Sequence, residues 1–63
     1  MKVTIKTIFK TPHGRTMVFD NGYAADPLEF AKKAISNRKI EFPFDVEVDF
    51  VEVNGEDVTE ELK

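Results

Sequence analysis

Residues 45–55 read Asp45-Val46-Glu47-Val48-Asp49-Phe50-Val51-Glu52-Val53-Asn54-Gly55. Over 45–50 acidic and apolar residues alternate, the period of a half-buried strand. Val46, Val48 and Phe50 share one face and Asp45, Glu47 and Asp49 the other. The alternation slips at Phe50-Val51. Val51 and Val53 therefore belong either to an apolar patch on the outer face or to a strand bent by a bulge. Asn54-Gly55 is a strong two-residue hairpin signal, which would open a short fourth strand at 56–59. Against that, Asp57-Val58-Thr59-Glu60 resembles a helix-start capping box. The balance favours a compact unit over residues 1–55 and a loose acidic tail over 56–63, with one turn of order as a short strand or helical turn.

Upstream, Asp26-Pro27-Leu28-Glu29 starts a helix. Asp26 suits the cap, Pro27 the first turn, and Glu29 completes a capping box. Pro27, Phe30, Ala31, Ala34 and Ile35 form one apolar stripe, and the helix is expected over about 27–38. Glu29 stands four residues before Lys33, in ion-pairing order. Glu41-Phe42-Pro43-Phe44 is extended, since a residue before proline avoids the helical region.

Residues 2–10 and 15–20 are strands around the turn Thr11-Pro12-His13-Gly14-Arg15. A three-residue loop ending on a left-handed Gly14 sets Phe9 opposite Met17, Thr7 opposite Phe19 and Ile8 opposite Val18. The third strand then lies beside the first. Pairing Lys6 with Asp49 and Lys10 with Asp45 also brings Ile5, Thr7 and Phe9 against Phe50, Val48 and Val46. The expected fold is α+β: a small ββαβ(β) single domain with an antiparallel three-stranded sheet, order 2-1-3, and one helix packed on one face.

Charge is divided along the chain. Residues 1–40 carry eight basic and three acidic side chains, and residues 41–63 carry nine acidic and one basic. The cross-strand register neutralises part of this split. Arg38, Lys39, Glu56, Asp57, Glu60 and Glu61 remain as electrostatic candidates. The chain has 63 residues and no cysteine, so a disulfide framework and thiolate metal sites are excluded. A domain of this length buries only about 60% of its unfolded surface and has no room for a deep enclosed cleft. No apolar run reaches membrane-span or signal-peptide length. With the missing cysteines, this points to a cytoplasmic setting, and the size suits a small bacterial or phage accessory protein.

Candidate chemistry is sparse. His13, the single histidine, lies on a turn with no nucleophile near it in sequence. Asp45, Glu47 and Asp49 share a strand face at spacings of about 7 Å, but they lack the looped backbone of a calcium site. Neither catalytic residue nor metal ligand nor cofactor is therefore assigned. The outer-face apolar residues Ile8, Val18, Val51 and Val53 are the interface candidates, because a contiguous apolar patch marks a contact surface. The expected function is non-enzymatic protein–protein contact, with a partner or with a second copy as a homodimer. The alternatives are nucleic-acid binding through the basic helix and first strand, or an acidic DNA mimic.

Overall fold

Thr11 decides the register of the first hairpin. Its hydroxyl accepts from the His13 N–H at 3.1 Å and donates to the Gly14 carbonyl at 2.7 Å. The turn closes on two residues, Pro12 and His13, with Thr11 directly opposite Gly14. Proline cannot adopt the positive φ of the favoured hairpin turns, and Gly14, at φ 116°, takes up the resulting mismatch of twist. In the computed structural model, which describes Met1–Lys63, this hairpin comprises β1 (Lys2–Thr11) and β2 (Gly14–Tyr23). The loop is one residue shorter than the sequence pattern suggests. Thr7 therefore faces Val18, and Ile8 faces Met17. A slip of one residue turns a whole strand over. Val18 points inward, and Met17 and Phe19 point to the open face.

The helix α1 (Pro27–Glu41) starts as expected, with Asp26 Oδ1 accepting from the Leu28 and Glu29 N–H groups at 3.1 and 3.3 Å. Glu29 does not close a capping box; its carboxylate meets Lys32 at 3.5 Å. The helix continues to Glu41 and ends where Phe42 becomes extended before Pro43.

β3 (Glu47–Val53) lies beside β1, antiparallel. Its register shifts between Ile8 and Phe9, so Asp49 is the extra residue of a bulge. This resolves the Phe50-Val51 slip. Phe50, expected on the inner face with Val46 and Val48, lies outside opposite Ile8, and Val51 and Val53 return to the core side opposite Thr7 and Ile5. The expected pairs Lys6–Asp49 and Lys10–Asp45 are replaced by Lys6–Glu52 and Lys10–Glu47. Asn54 at φ 51° and Gly55 at φ 84° then form the hairpin, and β4 (Glu56–Asp57) and α2 (Thr59–Leu62) follow.

The sheet is four-stranded, order β2-β1-β3-β4. Order 2-1-3 stands and gains a fourth strand. Within the 56–63 segment, Val58 is buried in the core and Leu62 packs against it. The core joins Val3, Ile5 and Phe9 of β1, Ala31 and Ile35 of α1, and Val48, Val51 and Val53 of β3. Phe42 closes one end, edge-on to Phe9 at 5.4 Å and stacked with Phe44 at 5.8 Å.

Candidate functional site

The inner sheet face is covered by α1, and the outer face is open. Across its middle, Met17 of β2, Ile8 of β1 and Phe50 of β3 form one row over three strands. Phe19 stands in the next row, opposite Lys6, which is opposite Glu52 on its other side. Met17 and Phe19 are 51% and 58% exposed, whereas Ile8 and Phe50 are half-buried. Lys6 reaches over the Phe50 ring, 5.8 Å from its centroid, a cation–π contact. Arg15 and Asp49 are joined at 2.7 Å, bridging β2 and β3 on the far side of the row. The result is an apolar strip rimmed by charges, the usual build of a protein contact surface.

Of the expected interface residues, only Ile8 lies on this strip. Val51 and Val53 are core residues, because the bulge returns them inward. Val18 is half-buried against the same core, because the short turn flips β2. Sequence reasoning missed Met17, Phe19 and Phe50. The signal that could have found the first two is Thr11, whose hydroxyl can tie off a two-residue loop.

The electrostatic candidates separate into bound and free groups. Arg38 is not free. Its Nη2 donates to Asp20 Oδ1 at 2.8 Å, its Nη1 to Glu41 at 3.3 Å, and the Asp20 hydrogen bond raises its pKa further. Asp57 accepts from the Thr59 hydroxyl at 2.6 Å and the Thr59 N–H at 3.0 Å, which together hold its carboxyl below the ordinary range. Lys39, Glu56, Glu60 and Glu61 are exposed and form no ion pair.

Beside α1 an open groove of about 450 Å³ is lined by Asp20, Asn21, Phe30, Lys33, Ala34, Asn37, Arg38 and Glu41. Of its two cations, Arg38 is engaged by both carboxylates, Asp20 and Glu41, and Lys33 forms no ion pair. His13 packs edge-on against Phe44 at 5.3 Å. No three His, Cys, Asp or Glu side chains converge as a metal site would require, and no helix is long and apolar enough to cross a membrane. Comparison with known protein families, curated proteins and solved structures finds no match.

Proposed function

We propose that this protein works by non-enzymatic contact with another protein in the cytoplasm, and that the open sheet face is its contact surface. The observation that carries this reading is the exposure of Met17 and Phe19 beside Ile8 and Phe50, two large apolar side chains left outside a core that has no place for them. Single exposed apolar residues are ordinary, but a contiguous strip across three strands is a recognisable docking surface. The charged rim of Lys6, Glu52, Arg15 and Asp49 supplies orientation.

The test is affinity capture from the native host with the wild-type chain and with Met17→Lys/Phe19→Lys. The expected outcome is a specific protein retained by the wild type and lost from the variant, with the circular dichroism spectrum unchanged. An identical set of retained proteins from both chains would overturn the reading. Retention on nucleic acid that weakens steeply with salt would replace it with the nucleic-acid alternative.

A further inference from the structure

We infer that β2 pairs antiparallel with β2 of a second copy, in a register centred on Val18, joining the two sheets into one. This rests on the reading above, that the protein works by protein contact, and names the partner.

The two sheet edges differ sharply. At one, β4 has only two residues, both acidic, with α2 following directly. Short, charged edge strands resist pairing. At the other, β2 runs for ten residues with no proline, no lysine and no bulge along its pairing with β1. Its one inward-pointing charge, Asp20, is neutralised by Arg38. The body of α1 lies over β1 and β3, reaching β2 through Phe30 and Arg38, so the edge is sterically open.

The hydrogen-bond phase shows which groups are unused. Met1 and Ala24 exchange both backbone hydrogen bonds, at 3.1 and 3.0 Å. Doubly bonded pairs alternate with non-bonded ones in an antiparallel ladder. In β2 the even-numbered residues therefore point their backbone groups at β1, and Arg15, Met17, Phe19, Asn21 and Tyr23 point theirs outward. These are the residues whose side chains stand on the open face, so the free donors and the exposed apolar groups coincide.

A second β2 must match like phase with like, which rules out any register centred between two residues. Centring on Val18 places Met17 of each copy opposite Phe19 of the other, Val18 opposite Val18, and Arg15 opposite Asn21. Thr16 then faces Asp20, where its hydroxyl can donate to the carboxylate. Apolar meets apolar on the open face, and no like charges meet. Centring on Phe19 instead sets Asp20 against Val18, and centring on Asp20 opposes two carboxylates. The Val18 register also carries the strip of Phe50, Ile8 and Met17 directly into Phe19 of the second copy. An interface of one strand per copy lies at the small end of specific contacts.

Three measurements on the full chain test this. Sedimentation at rising concentration is expected to show a monomer–dimer equilibrium. A synthetic chain N-methylated on the Phe19 backbone nitrogen, which deletes an outward donor and keeps every side chain, is expected to weaken the dimer at least about tenfold. Val18→Cys, a sole thiol in this cysteine-free chain, is expected to cross-link readily under mild oxidation and Tyr23→Cys slowly, because only residue 18 meets its own copy. A chain that stays monomeric throughout would overturn the self-pairing. A dimer that survives N-methylation, or cross-links equally through both cysteines, would overturn it as well. Met17→Lys/Phe19→Lys also alters this register, but its capture experiment reads any retained protein and not the second copy alone, so failure of the dimer leaves the broader contact reading to stand or fall by its own result.

Discussion

Thr59 is a small residue with three tasks. Its hydroxyl oxygen accepts from the Val51 N–H at 3.0 Å and donates to Asp57, and its own N–H donates to the same carboxylate. Thr59→Val keeps the shape and orphans the Val51 N–H, so a loss of about 1–3 kcal/mol is expected in chemical denaturation. The same contacts make Asp57 a source of acid sensitivity. A carboxyl held below its unfolded value of about 3.9 stabilises the fold at higher pH, and that contribution is lost as pH falls through the folded value. Thermal melts of Asp57→Asn are therefore expected to fall less steeply than wild type below about pH 4. Gly22 has a different constraint. A Cβ built there would run into the Phe30 ring, so the ring must swing away. Gly22→Ala is expected to cost about 1–3 kcal/mol by overpacking. In a double-mutant cycle with Phe30→Ala much of that cost should vanish, because the obstructing ring is gone.

At the level of elements, local chemistry was readable and long-range register was not. The start of α1 depends on Asp26 and Pro27, which lie within one turn of the groups they serve, so it could be placed from sequence. The registers of β1 with β2 and β3 depend on single residues that shift everything after them. Pro12 and Gly14 suit a three-residue loop, but the Thr11 hydroxyl satisfies the turn with two. The sequence pattern sets Val51 and Val53 on the outer face as interface candidates, and the structure buries them, because a bulge at Asp49 becomes visible only against the partner strand. The Asn54-Gly55 signal was sound, and in the segment after it Val58 enters the core. The importance attached to Thr11 is testable. Thr11→Val removes one acceptor and one donor from the turn and should destabilise the fold by about 1 kcal/mol. Amide exchange should quicken at His13 in particular, whose N–H loses its partner.

The whole molecule is a one-sided sheet, 34 × 20 × 16 Å, with a single long helix as the main cover of one face. A covered face and an open face give the same residue type opposite roles. Phe9 and Phe19 are alike in composition and in strand context, and the sequence pattern sets both inward. Phe9 is fully buried against Phe42, and Phe19 is 58% exposed. Phe9→Ala is expected to cost about 3–5 kcal/mol through lost burial and the cavity it leaves. A domain of this size has a net stability of about the same magnitude, so that variant should be largely unfolded at 25 °C. Phe19→Ala removes a side chain that touches little of the core and should change stability by less than about 0.5 kcal/mol. Chemical denaturation of the two variants, run below the concentration at which copies associate, measures the difference. Equal losses would mean that Phe19 is a core residue, that β2 is flipped, and that the open face is not apolar. A large loss confined to Phe9 leaves Phe19 dispensable for folding, so any binding abolished by its removal reports on contact alone.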